Sequence, residues 1–372
     1  MLIPPTRIVA LRRLMLSLGA ASLVASSLAM LAAPAVAKEK YKIDPVTGTK
    51  YKPTDDMKEL LAAFAALGGK PIDTLSPTEA RLQPTMADAV SALLTKRGSD
   101  PDPAKLSGDV TSANATIPGG DGAPMTATVY TPAGTGPFPA VVFFHGGGWV
   151  IGSRQAYAAS ARALAKQAEV VVISVDYRLA PEHKFPAAWD DALAAYKWTA
   201  ANVGSWRGDP RRLALAGESA GGNLAISTAI SAVAAGLTRP QAVIAIYPVT
   251  QTGTTTESYI DSGHAKVLDK ATISWFFDKT LSSAADKTDP RLDLLRAKLT
   301  VLPPVTLINA QIDPLRSDGA VLEEALKQAG VPVIRKEYEG VTHEFFGAAA
   351  VLPEARKAQS LAADRLKDAF KQ

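Results

Sequence analysis

The residues Gly217-Glu218-Ser219-Ala220-Gly221 set a serine between glycines placed two positions to either side. The apolar run 213–216 ahead of them reads as a strand, and the pattern from Gly222 onward reads as a helix. A serine on such a strand-to-helix turn is held in strained backbone geometry with its hydroxyl presented outward, and glycines let the neighbouring chain pass without a clash. The helix behind it offers free N–H groups and the positive end of its dipole to a developing negative charge. Residues of these types at this spacing suit nucleophilic attack on a carbonyl carbon; the plainer reading is an ordinary turn serine.

A second feature lies upstream. His145-Gly146-Gly147-Gly148-Trp149 follows the apolar run 140–144. Consecutive glycines let N–H groups point into a site instead of a sheet ladder, and one donor aimed at an oxyanion is worth about 2.7–4 kcal/mol. The expected donors are Gly147 and Gly148, with Ala220 behind the serine; His145, Gly146 and Glu218 support them. A phosphate loop is disfavoured, because no Lys-Ser/Thr and no G-x-G-x-x-G is present. The serine also needs a base, and histidine is the side chain that serves near neutral pH. His343 lies in Gly340-Val341-Thr342-His343-Glu344, just past the last predicted strand. Serines on this kind of turn take partners in the chain order serine, acid, histidine. The acid is therefore sought between the two. Asp313, after the predicted strand 305–308, is preferred as the group that orients the imidazole. Asp318 is its rival, although its place before a predicted helix suggests an N-cap.

These residues need elements to hold them. Short apolar or alternating runs at 126–130, 140–144, 170–175, 213–216, 242–247, 305–308 and 331–337 read as strands. Helical patterns at 158–167, 189–202, 222–235, 319–329 and 354–370 separate most of them. Apolar strands alternating with helices indicate an α/β fold, a mostly parallel sheet covered on both faces, here led by antiparallel strands. Ahead of the strands, 57–67 and 86–94 read as amphipathic helices. Ser76-Pro77-Thr78-Glu79 reads as a capped helix start, and 99–107 as a linker. The stretch between Tyr247 and Val305 breaks the alternation. It holds a helical pattern at 271–281 with Trp275, Phe276 and Phe277, and an insertion of this size is expected to be functional. With the N-terminal helices it reads as a cap; the three aromatic residues either line an acyl pocket or form the cap's packing core.

The chain's first part reads as a targeting segment. Arg7, Arg12 and Arg13, an apolar stretch from Leu14 to about Leu31 and Ala35-Val36-Ala37 form an export signal over 1–37 that is removed before Lys38. Retention as a membrane helix is the alternative, and Arg12-Arg13 also allows a twin-arginine route. Residues 38–107 are then an N-terminal segment, polar and flexible at its start, with cap helices. Residues 108–372 form the catalytic domain, with a cap insertion at about 251–298. The whole chain carries 40 Lys+Arg against 36 Asp+Glu, and losing three arginines brings the charge from +4 to about +1. That balance gives no reason to expect nucleic acid or an anionic membrane as a partner, and no later run is long enough to span a bilayer. With no cysteine there is no disulfide framework or thiolate site. The four histidines make no metal-binding pair, and His183 and His264 lack a motif.

The set HGGGW (145–149), DYRLAPEHKFPAA (176–188), GESAGG (217–222), YPVT (247–250), DPLRSDG (313–319) and GVTHEFFG (340–347) resembles the hormone-sensitive-lipase-like family of α/β-hydrolase carboxylesterases, which includes bacterial esterases and arylacetamide-deacetylase-like enzymes. Six motifs in order cover most of the chain after the leader. The resemblance implies a Ser219–Asp313–His343 triad, an oxyanion hole from Gly147, Gly148 and Ala220, and a helical cap. It also implies short- to medium-chain acyl esters as substrates and no cofactor. The stretch 176–183 looks like a brace for the catalytic loops. Glu218 stands where many relatives carry Asp, and Glu344 where Gly is more usual, which adds a carboxylate beside the site. The expectation is an exported serine esterase, monomer or homodimer. Amide, lactone or carbamate hydrolysis on the same triad, and non-catalytic binding of a small molecule, stand as alternatives. No exposed amphipathic lid of the kind that binds lipid surfaces is evident.

Overall fold

The computed structural model describes residues 42–371; the export signal read over 1–37, and the first residues of the segment after it, lie outside them. The segment from 42 to 54, expected to be flexible, is a tied turn. Asp44 accepts from the N–H groups of Val46 and Thr47 at 2.9 and 3.1 Å, and Thr47 and Thr49 are fully buried. Helices α1 (Asp55–Ala66), α2 (Pro77–Ala80), α3 (Met86–Lys96) and α4 (Pro103–Ser107) follow. The Ser76–Glu79 capping box forms as read. The stretch read as a linker contains α4, which Asp102 caps from its side chain.

Eight strands then form one sheet: β1 (Thr111–Pro118), β2 (Pro124–Thr131), β3 (Phe138–Phe144), β4 (Val171–Val175), β5 (Gly208–Glu218), β6 (Val243–Ile246), β7 (Val305–Ile312) and β8 (Val333–Thr342), in the order β1-β2-β4-β3-β5-β6-β7-β8. β2 is antiparallel to both β1 and β4, and the pairs from β4 to β8 are parallel. Helices α5 (Ala158–Ala168), α6 (Ala187–Asn202), α7 (Ala220–Ala234), α10 (Arg316–Gln328) and α11 (Pro353–Phe370) make the connections and the end. Because strand side chains alternate, the sheet feeds two cores. Val142, Phe144, Ile173 and Leu215 join α6, α7 and α10 on one face. Val141, Phe143, Val172 and Ala214 join α1, α3, α5 and α11 on the other. Among the described residues no helix is long and apolar enough to cross a membrane.

β3 and β5 are neighbours, yet their next strands lie on opposite sides of them. Strand order reverses there, and the loops leaving the carboxyl ends of such strands open a crevice. The glycine loop leaves β3 and the serine turn leaves β5. Over the crevice lies α9 (Lys270–Thr280), while α8 (Glu257–Asp261), from the same insertion between β6 and β7, packs against α10. Arg81, just past α2, ties the N-terminal helices to the body: its guanidinium donates to Val150 O at 2.9 Å, Ala180 O at 2.8 Å and both oxygens of Glu182.

Candidate active site

Ser219 has φ 56° and ψ −117° between the end of β5 and the start of α7. A non-glycine residue there costs on the order of 1–3 kcal/mol, which the surroundings must impose. They do so from both sides. Ser219 N–H donates to Ile246 O at 2.8 Å, and Ser219 O accepts from Gly222 and Asn223 N–H at 2.9 and 3.2 Å. The glycines are required by space: a Cβ on Gly217 would come within 2.1 Å of Gly221 O, and one on Gly221 within 2.1 Å of Phe144 O. Ala220 is the first residue of α7, so its N–H has no carbonyl one turn back within the helix.

The loop after β3 places Gly147 at φ 100° and Gly148 at φ 59°. Among the described residues neither N–H donates a hydrogen bond. His145 sits under this loop, its ring stacked on Tyr177 with centroids 4.3 Å apart and its Nδ1 2.7 Å from Gly146 O. Burial holds its pKa below the ordinary imidazole value, partly offset by that carbonyl. Tyr177 Oη donates to His145 O at 2.8 Å. The 176–183 stretch is itself anchored: Asp176 takes Arg154, and Arg178 forks onto Asp191 at 2.9 and 2.8 Å.

β8 runs further than its sequence pattern, to Thr342, so His343 leaves directly from a strand end. Its Nδ1 lies 2.7 Å from Asp313 Oδ2, while Asp313 Oδ1 accepts from Leu315 N–H at 2.8 Å. Burial disfavours the imidazolium, but the charge and hydrogen bond of Asp313 outweigh it, helped by Glu344 and Glu218, and the His343 pKa is raised. Asp318 is not the partner. Nor is it an N-cap: it lies inside the first turn of α10, where Leu315 is the cap residue. Its Oδ2 accepts from Thr250 N–H at 3.0 Å, and burial pushes its carboxyl up to about 7.

Ser219, His343, Gly147 and Gly148 line one cavity of about 520 Å³. Helix α9 supplies Phe276, which lies against Gly148: a Cβ on that glycine would fall 2.1 Å from the Phe276 ring. Of the other two aromatic residues, Phe277 packs on Trp149 at 6.1 Å and Trp275 on Phe276 at 5.5 Å, so the run divides between lining and packing. His264 also reaches the cavity, whereas its sequence context carried no signal.

Two tyrosines bind the acids flanking the serine and the histidine; Tyr157 lies in no motif, and Tyr247 opens the YPVT motif, for which the sequence suggested no role. Tyr247 Oη donates to Glu218 in a short hydrogen bond, and the Tyr247 ring lies 4.4 Å from that of His343. Tyr157 Oη donates to Glu344 Oε1 at 2.6 Å. Burial, then repulsion from Glu344, pushes Glu218 up to about 8. Burial also raises Glu344, against the pull of His343. Among the described residues no three or more His, Cys, Asp or Glu side chains are grouped to hold a metal ion.

A family described as the alpha/beta hydrolase fold matches residues 141–347. The chain is 37% identical over 238 residues to a Mycobacterium tuberculosis protein named carboxylesterase NlhH, covering 62% of this chain and 74% of the relative. It is 33% identical over 290 residues to an ethyl acetate hydrolase of Pseudomonas putida, covering 77% and 88%. Among solved structures, the hyperthermophilic esterase from Pyrobaculum calidifontis superposes with a TM-score of 0.75 at 35% identity, over 85% of this chain and 98% of that one.

Proposed function

This chain belongs to the alpha/beta-hydrolase family, in its hormone-sensitive-lipase-like branch, and from that membership we propose that it is a serine carboxylesterase acting on short- to medium-chain acyl esters through an acyl-enzyme on Ser219. The observation that carries the reading is the meeting, in one cavity, of a strained serine, a histidine bonded to a buried aspartate, and two glycine N–H groups without a partner among the described residues.

With Nδ1 donating to Asp313, Nε2 of His343 is the free base. Ser219 Oγ attacks the ester carbonyl as Nε2 takes its proton, and the N–H groups of Gly147, Gly148 and Ala220 receive the oxyanion. Collapse breaks the bond to the alcohol, which leaves with the proton from His343. Water then attacks the acyl-serine, again giving its proton to Nε2, and the acid departs as Ser219 regains its hydroxyl. A cavity of this size suits a modest acyl chain. The relatives named carboxylesterase and ethyl acetate hydrolase support the reaction class. The N-terminal signal pattern supports an exported enzyme, which amino-terminal sequencing of the mature protein tests: it should begin at Lys38.

The test is hydrolysis of p-nitrophenyl esters from acetate to palmitate, with Ser219→Ala alongside. The expected result is activity highest on short chains and abolished in the variant. Turnover that survives Ser219→Ala would overturn the proposal. A folded enzyme inert on every ester but active on amides or lactones would keep the triad and change the substrate.

A further inference from the structure

A second cavity lies behind the first. It measures about 360 Å³ and is bounded by α3, α4, α5 and the start of α11. The two share Met86, Ala87, Ala156, Tyr157 and Glu344, so the Tyr157–Glu344 hydrogen bond forms part of their common wall. The rear cavity has three zones. At its inner end Ser160 Oγ and Glu218 Oε1 are buried with no hydrogen-bond partner among the described residues. The Ser160 hydroxyl is close enough to Glu218 to favour its ionised form without reaching a hydrogen-bonding position. The waist is apolar, with Val90, Pro101, Pro103 and Leu106. The mouth carries Lys166 and Arg356, both exposed. Neither is ion-paired among the described residues, and Arg356 spends one N–H on Ala349 O at 2.7 Å.

We propose that this rear cavity binds a small amphiphilic carboxylate, its alkyl body along the waist and its carboxylate between Lys166 and Arg356. An apolar slot calls for an alkyl chain, and two cations without acidic partners at its mouth call for an anion, which they bind through charge-assisted hydrogen bonds. The volume sits at the lower end of the range for small-molecule sites, about 300–1,000 Å³, and suits a chain of a few carbons. At the inner end, Ser160 and Glu218 are polar atoms that burial penalises until a water or a ligand oxygen meets them. The ligand has two sources. It is a free alkanoate, such as a product acid, or it is the far end of an ester whose near end lies at Ser219. Only the second source rests on the esterase reading. The position is consequential either way, because Glu218 precedes Ser219 and Glu344 follows His343.

Calorimetric titration of hexanoate into Ser219→Ala, with and without Lys166→Glu/Arg356→Glu, tests the site without requiring turnover. Both reversed residues are exposed, so the fold is not at stake. The expected result is saturable binding that weakens about tenfold or more on charge reversal, while hexanamide is indifferent to it. Absent hexanoate binding, or binding of equal strength in both proteins, overturns the proposal. Kinetics separate the sources. A kcat/KM advantage of monoethyl adipate over ethyl pentanoate that the reversal removes identifies the substrate's own carboxylate. Hexanoate binding with no such advantage identifies the free acid. Failure of any ester to turn over would strike the esterase reading and leave the titration standing.

Discussion

A buried imidazole loses basicity unless something holds its proton, and at His343 that holder is Asp313 at 2.7 Å. Asp313→Asn removes the charge but not the shape. The expected loss in kcat/KM is about four orders of magnitude, the scale set by a wrong tautomer and an unsupported imidazolium. Asp318→Asn, which disturbs only the Thr250 contact, should cost far less. A ratio near one between the two variants would remove Asp313 from its proposed role. Glu344 acts on the same imidazole through its charge. Its charge helps to raise the His343 pKa, and a raised base is freed of its proton only at higher pH. Glu344→Gln should therefore move the acidic limb of kcat/KM to lower pH, and a pH–rate profile whose limb stays in place would refute the coupling. Serine, aspartate and histidine were legible because each sits beside a strand end with a local signature. Tyr157 was not, nor was the role of Tyr247 within its YPVT motif: an aromatic hydroxyl bonds to whatever the fold brings near, and nothing in its own neighbourhood announces Glu344 or Glu218.

The insertion between β6 and β7 meets the glycine loop after β3 through one helix. Phe276 of α9 covers Gly148, and Thr280, the last residue of that helix, donates from Oγ1 to Gly148 O at 3.2 Å. Gly148→Ala would drive a methyl group into the Phe276 ring and strain a left-handed backbone. We expect kcat/KM to fall by about tenfold or more, since one misplaced oxyanion donor is worth several kcal/mol. Gly148→Ala/Phe276→Ala should recover part of the loss. No recovery in the double variant would mean that the backbone strain alone causes the damage. The sequence showed α9 and the strands that bury both faces, because apolar runs declare themselves. β1 escaped notice because it is an edge strand whose residues 111–114 are all exposed and whose alternation is faint. α4 hid behind Pro101-Asp102-Pro103, where proline reads as linker although it also suits a helix's first turn. β8 outran its pattern to Thr342 because Gly340 interrupts the alternation without ending the pairing.

At the scale of the molecule, the fold buries acids that most proteins leave in water, and this sets how stability depends on pH. Exposed carboxylates such as Glu182, held down to about 2 by Arg81, finish titrating in acid. Glu218 and Asp318 instead titrate near 8 and 7 in the fold, against an ordinary carboxyl value of about 4 once unfolded. Between those limits the native state holds protons that the unfolded chain has lost. Stability from these groups is therefore fully present in acid and declines as pH rises, by at most about 1.4 kcal/mol per pH unit for each. His343 has the same sign, its raised pKa favouring the fold at lower pH. His145 opposes them only below about 6.5, because burial keeps it neutral while the unfolded imidazole charges. The clean window is therefore pH 7 to 8, where Glu218 still holds its proton and Asp318 is losing its own. Melting temperature should fall across that window, and Glu218→Gln, which keeps an acceptor for Tyr247 but cannot ionise, should flatten the fall. A fall that Glu218→Gln leaves unchanged, or a wild-type melting temperature that stays level from pH 7 to 8, would show that Glu218 is already ionised in the fold. Its short bond to Tyr247 would then be that of a phenol to a carboxylate, and the charge beside Ser219 would be a fixed feature of the site.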